Sequence, residues 1–452
     1  MSRAAALLAV CSLSCQPAAA PSRAQPARDC HYDVQLEASG LVRATTSCAG
    51  EVTFRPARPG LSASLRGVSS SGRPQPAGKA LDYTIDLSEL SRRAGGDFDY
   101  ALQSGASFLA PMSSVLLVPQ PLGTETPVEV RVRAAPSVDV AVGLARSSGR
   151  DDSFRLMAHE IPVATYFAFG RLEQRRLELA EGVVELTRLD GQLERTTDEL
   201  AEWVAVSARA VASFYGRFPV PRASVLVLPR PERDAVVFGK VLPESEPAIA
   251  LLVGEHAARS ALYADWILVH ELFHLGFPSF FEEGKWLDEG LATYYEPIIR
   301  VRAGLYAEVE LWDELEKSMP QGLPDFTEGG LAHASDFRGV YWGGAIACLV
   351  VDVRARQERL DRGLEAGLRA LRDAGGTANE VWSLSDAVTL IDRSFDAPHL
   401  GRVVEEHGAR GRAFDLSGLF RELGVTRDAR GKIAISDDAP LAAVRRAIVR
   451  GS

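Results

Sequence analysis

The segment LVHELFHLGF, residues 268 to 277, holds two of the chain's eight histidines four positions apart, with a glutamate directly after the first. Residues four apart share one face of a helix about one turn from each other. His270 and His274 can therefore both aim a ring nitrogen at one Zn²⁺, at about 2.0–2.1 Å. Glu271 then lies beside the metal, placed to take a proton from a water that the metal has acidified and to hand it to a leaving amine. The bland alternative for the same letters is a core helix with two satisfied histidines. A catalytic zinc usually takes three protein ligands and keeps one position open. The stretch EEGKWLDEGLATYYEP that follows offers Glu282, Glu283, Asp288 and Glu289 for the third place. Residue type alone leaves these four open, because acids near a helix start are also favoured by the helix dipole.

The elements that must position these residues are legible as changes of period. From about residue 30 to 185 short alternating runs such as YDVQLEA, SVLLVP, VEVRVRA and VVELTRL are divided by turn-forming clusters, which predicts mostly β-sheet. After DGQLERT the spacing becomes helical, with a helix from near residue 197 capped by Thr196 or Thr197 and closed before Pro219 and Pro221. ASVLVLP then reads as a buried strand, VVFGKVLPESEP as a loop, and AIALLV as a second strand ahead of the histidine helix. From Trp286 onward nearly everything is helical, apart from a short KIAIS strand. The chain divides into a leader (1–24), a β-rich domain (25–190), the domain holding the chemistry (191–375) and a small helical region (376–452).

HELFHL followed by WLDEGLATYYE resembles the gluzincin metallopeptidases of the aminopeptidase N and glycyl aminopeptidase type. The resemblance implies an α+β protein: a β-rich N-terminal domain, then a thermolysin-like (gluzincin) catalytic domain with a mostly helical C-terminal half. It implies one Zn²⁺ per chain held by His270, His274 and Glu289, Glu271 as general base and acid, and a peptide or protein substrate. Glu296, seven residues after Glu289, is expected either to receive a hydrogen bond from a ligand histidine or to be a surface carboxylate. Those families also aim a tyrosine at the oxyanion from a later Y-x-K-G helix start. Here VYWGGAIACLVVDVRAR matches at Tyr341 and Gly344, with Gly343 in place of the lysine. The fourteen residues between His274 and Glu289 make a shorter connection than is common there.

The Gly-x-Met-Glu-Asn segment with which such aminopeptidases clamp a substrate's amino group is absent. Glu244, Glu246 and Glu255 stand as candidates for that task or as surface acids, and the strand at 249–253 is expected to hold an extended peptide by β-addition. The activity implied is therefore that of a zinc aminopeptidase, with a zinc endopeptidase as the alternative. A non-catalytic peptide-binding envelope protein is a third reading, and a zinc hydrolase of a non-peptide ester or epoxide a fourth.

Bulk composition fits a globular chain and sets one class of partner aside. The formal charge is −10, and loss of the leader removes Arg3 and Arg23 but no acid, giving −12. Without a basic stripe, nucleic acid is set aside as a partner. The leader, with Arg3 and the apolar run AAALLAVCSL, is too short for a lasting transmembrane span and predicts export to the periplasm or beyond. The mature chain is then either free or held by lipid on Cys15 or Cys11. An oxidising compartment allows a Cys30–Cys48 disulfide, and Cys348 reads as a buried hydrophobe. His256, His333 and His407 read as surface or loop histidines, and nothing in the sequence fixes an oligomeric state.

Overall fold

The computed structural model describes residues 29–68, 74–121, 126–147, 150–243, 245–280 and 284–451. The leader, Cys11, Cys15, Glu244, Glu282 and Glu283 lie outside the described residues. The β-rich part is built from strands in which every second residue is buried, as in Cys30–Leu36, where Cys30, Tyr32, Val34 and Leu36 point inward. A seven-stranded sheet runs in the spatial order Ala145–Arg146, Ser153–Met157, Pro127–Ala134, Cys30–Leu36, Leu41–Cys48, Leu81–Asp86, Leu65–Arg66. Cys30 and Cys48 face each other across an antiparallel pair and are disulfide-bonded. A second sheet contains Asp139–Val142, Tyr166–Gly170, Ser107–Pro111 and Leu102–Ser104.

The sheet beside the histidine helix has five strands: β1 (Leu172–Leu179), β2 (Gly182–Leu189), β3 (Arg222–Arg230), β4 (Val236–Leu242) and β5 (Ala248–Gly254). Their spatial order is β1-β2-β3-β5-β4. The hairpin of β1 and β2 was expected to end the β-rich domain. It forms the outer part of this sheet, because β2 pairs in parallel with β3 from Val183 to Arg188. β3 and β5 are buried on both faces, which is why they read as unbroken apolar runs. Val225, Val227, Ile249, Leu251 and Val253 face the helices. Leu226, Leu228, Leu242, Ala248 and Ala250 face the β-rich domain, in one apolar seam with Phe98, Leu109 and Tyr166. Burial of side chains of this size stabilises by about 1.5–3 kcal/mol each, so the seam fixes the two domains firmly.

VVFGKVLPESEP is corrected from a loop to a strand over its first half: β4 pairs antiparallel with β5 and forms the sheet's edge. Its glycine and exposed polar residues imitate a loop, and an edge strand tolerates both. The strand at 249–253 is correspondingly interior, with β3 on one side and β4 on the other, and it has no free edge for a peptide.

Helix α1 (Thr197–Tyr215) starts at the expected cap: the Thr196 hydroxyl accepts from the Glu199 N–H and the Glu199 carboxylate accepts from the Thr196 N–H. The histidine helix α2 (Ile267–Phe273) lies between the sheet and the long helix α3 (Lys285–Arg302), with α4 (Gly344–Glu358) packed across α3. The last two pack at a point where neither has a side chain. A Cβ on Gly344 would lie 2.0 Å from the Trp286 carbonyl oxygen, and one on Gly290 2.4 Å from the Gly344 carbonyl carbon. Fully buried Arg356 of α4 pairs with Asp352 at 3.0 Å and Glu365 at 2.7 Å, and the Tyr294 hydroxyl of α3 donates to Asp352 at 2.9 Å. In the C-terminal region, Leu368, Ile391, Val403 and Ile448 belong to the same hydrophobic core as α1, α2 and α3. Cys348 is buried as expected, whereas His407 is corrected from surface to core, stacked on Phe326 at 3.7 Å.

Gly344→Ala inserts a methyl group between two helix backbones. The expected cost is about 1–3 kcal/mol, read as a lower denaturation midpoint; an unchanged midpoint would show that the helices can part freely.

Candidate metal centre

α2 is short, yet His274 keeps helical backbone angles where the helix tightens at its end, so the four-residue spacing holds. The His270 Nε2 lies 3.3 Å and the His274 Nε2 3.6 Å from Glu289 Oε2, and one ligand atom from each of the three residues falls within 4.8 Å of the others. A tetrahedral ion with bonds of about 2.0–2.1 Å sets its ligand atoms about 3.3–3.4 Å apart, so two imidazoles and one carboxylate converge here at zinc spacing. Burial raises the Glu289 carboxyl, but the facing imidazoles more than offset it and hold the group well below the usual carboxylate range. Burial likewise lowers the His274 imidazolium, and Asp288 with Glu289 reverses this, leaving it well above the ordinary histidine value.

Asp288 is not a competing ligand but a partner: its Oδ1 meets the His274 Nδ1 at 3.0 Å, which fixes the ring so that Nε2 faces Glu289. Glu296 takes no such part. Seven residues on, it stands about 10 Å along the helix axis from Glu289 and is buried against Arg300 at 2.9 Å. The His270 Nδ1 is buried without a hydrogen-bond partner among the described residues.

Glu271 emerges from the same helix toward β4. The Val241 N–H donates to its Oε2 at 2.9 Å, and a Cβ on Gly239 would stand 3.1 Å from its Cγ and 2.4 Å from Ile267, so only glycine lets the strand pass. Burial pushes the Glu271 carboxyl up, with His270 and His274 opposing, which suits a group that must take and return a proton. Tyr341 lies in the wide turn Arg338–Gly343 that runs into α4, its ring parallel to that of His270 at 5.9 Å and against Phe337 at 4.4 Å. Burial first, and Glu289 second, raise its pKa, so the phenol keeps its proton and can donate it in a hydrogen bond.

These five residues line one cleft of about 410 Å³, together with Phe238, Lys240, Phe277 and Asp288. A larger cavity of about 500 Å³ between the domains, bordered by Arg146, Arg175 and Arg176, has none of them. Of the acids considered for a substrate amino group, Glu246 lies 3.6 Å from Arg222 and Glu255 accepts from the Glu232 N–H; neither lines the cleft. Sequence reasoning missed Asp288 as a histidine partner and missed β4 with Gly239, Lys240 and Val241. The glycine that directly follows the apolar run AVVF was the one available signal.

Asp265 caps the start of α2 by accepting from the Leu268 N–H at 3.0 Å. Burial lifts its pKa from 3.8 to about 6 against that bond. The folded state therefore prefers the protonated acid, so this stability is full below pH 4 and lost as pH rises through about 6. Asp265→Asn is expected to be about 1–2 kcal/mol more stable than wild type at pH 7.5, the shift being discounted for partial exposure, and no more stable at pH 3.5; denaturation at both values tests it. Asp288→Asn, which keeps the shape but frees His274, should weaken zinc binding by about 10–100-fold with the fold intact, measured by chelator competition.

No protein-family model matches the chain, and no curated protein matches it. Solved structures do. An aminopeptidase N family protein from Idiomarina loihiensis superposes with a TM-score of 0.65 at 16% identity, over 88% of this chain and 78% of that one. A two-domain M1 zinc metallopeptidase with L-arginine bound gives 0.51 at 14%, over 86% and 96%. The M1 zinc metallopeptidase of Deinococcus radiodurans gives 0.50 at 14%, over 87% and 95%. At such identities the likeness is one of architecture: the chain has the α+β fold of the M1, aminopeptidase N type metallopeptidases.

Proposed function

We propose that the protein is a zinc-dependent metallopeptidase. One observation carries this reading: His270, His274 and Glu289 converge at zinc spacing in a cleft that also holds Glu271 and Tyr341 and opens on a sheet edge. Zinc, when bound, supplies a Lewis acid that polarises a carbonyl and acidifies water. The chain's own residues do the rest. β4 has β5 on one side only, so its other edge can add an extended peptide main chain to main chain. Glu271, steadied by the Val241 N–H, takes the proton of the attacking water and returns it to the leaving nitrogen. The Tyr341 hydroxyl donates to the oxyanion that forms on the attacked carbonyl.

Removal of residues from an amino terminus is the finer reading. The sequence motifs imply it, and the likeness to an aminopeptidase N family protein supports it. Cleavage inside a chain is the second reading, favoured by the missing Gly-x-Met-Glu-Asn segment. Export, with one zinc per chain, is part of the proposal; the apolar leader and the Cys30–Cys48 bridge support it. Among the described residues no helix is long and apolar enough to cross a membrane.

Zinc content and peptide hydrolysis, measured together on three proteins, test the proposal. Wild type is expected to hold about one zinc and cleave. Glu271→Gln should keep the zinc and lose nearly all activity. Tyr341→Phe should keep it and lose about 10²–10³ in kcat. Hydrolysis undiminished in Glu271→Gln would overturn the assignment of the base.

A further inference from the structure

A pocket of about 450 Å³ lies where α1 and the end of α3 meet the helices Leu364–Asp373 and Ala442–Arg450. Arg302 in its wall comes thirteen residues after Glu289 on α3, about 20 Å along the axis, so the pocket is separate from the metal centre. Four arginines line it, Arg209, Arg302, Arg369 and Arg450, and no carboxylate does. In a chain with a formal charge of −10 that is an unusual grouping. The cavity between the domains shows the ordinary case: Arg146 stands 3.7 Å from Asp151, Arg175 2.7 Å from Asp198 and Arg176 2.7 Å from Glu178.

Helix ends account for part of the grouping. Arg302 donates to the carbonyls of Ile448 at 2.6 Å and Val449 at 3.2 Å, and Arg369 to that of Phe214 at 2.8 Å. Arg450 stands in the last turn of its own helix, where a cation suits the dipole. Arg209 has no such reason, since it precedes the end of α1 by six residues and the dipole acts only within the last turn. The one acid that meets these arginines in an ion pair, Glu365, lies 3.3 Å from Arg302 but is fully buried and already holds Arg356 at 2.7 Å. Neither Arg209 nor Arg450 has an ion-pair or hydrogen-bond partner among the described residues. Ser452, beside Gly451 in the pocket wall, lies outside them. Converging guanidinium groups build a positive potential that an anion offsets, and their planar forks match phosphate and carboxylate oxygens.

We propose that this pocket is a binding site for a small anion of two or more negative charges, carried on phosphate or carboxylate oxygens. The probes are inorganic phosphate and succinate, titrated by calorimetry into the zinc-loaded protein at constant ionic strength with chloride as the balancing anion. At least one of them is expected to bind once per chain with a Kd of about 0.1–1 mM, and the one that binds more tightly shows which oxygens the pocket prefers. Arg209→Gln with Arg450→Gln should weaken that binding by about tenfold or more, while Arg410→Gln, an exposed arginine outside the pocket, should leave it unchanged. Phosphate held at the metal centre would be equally unaffected by all three substitutions. No binding of either probe by wild type, including the case in which the carboxylate of Ser452 takes the pocket, overturns the inference. A loss no larger in the double variant than in Arg410→Gln overturns it as well.

Discussion

The contact between Gly290 and Gly344 governs the geometry of the whole site. Two helices can meet backbone to backbone only where both lack a side chain, and here the Gly290 and Gly344 positions leave no room for a Cβ on either. Glu289 is the residue before Gly290, and Tyr341 lies three before Gly344. Bringing the two glycines together therefore carries the phenol over His270 and the carboxylate up to both imidazoles. The same crowding continues at Gly343, whose nitrogen a Cβ on Gly322 would meet at 2.0 Å. The buried Asp352–Arg356–Glu365 group and the Tyr294 hydroxyl pin α3 to α4 and to the segment beyond. A buried ionic group of this kind resists rearrangement more than it adds net stability.

Around this frame, the cleft separates the tasks of its carboxylates by environment alone. Glu289, facing two imidazoles, is held ionised; Glu271, on the strand side and desolvated, is pushed toward protonation; Asp288 is spent on orienting His274. Carboxyl groups driven apart in pKa within one cleft are the usual mark of divided acid and base roles. The β-rich domain contributes as well, since its apolar seam buries the outer face of β3 and β5 and its Asp99 engages Lys240 of β4.

The candidate site residues were legible because each is written locally: two histidines four apart with a glutamate after the first, and an acid and a tyrosine singled out by the resemblance of WLDEGLATYYE and VYWGG to gluzincin motifs. Where residue type left the third acid ambiguous among neighbours, the structure sets Glu289 beside the His274 Nε2 and Asp288 beside its Nδ1. What could not be read depended on partners far apart in sequence. β4 looked like a loop, because the reason Gly239 belongs in a strand is Glu271, thirty-two residues later. The interior position of residues 249–253 followed from that same error. Glu296 shares a face with Glu289, but its distance along the helix, and Arg300 waiting there, decide its contacts. His407 gave no signal of burial, since its ring stacks on a phenylalanine eighty-one residues away.

The most direct test of the account is anomalous diffraction at the zinc edge from crystals of the protein loaded with zinc. The account predicts one anomalous peak per chain, about 2.0–2.2 Å from His270 Nε2, His274 Nε2 and a Glu289 oxygen, with Tyr341 and Glu271 facing the open side. A peak elsewhere, or no peak between the two histidines, would contradict it.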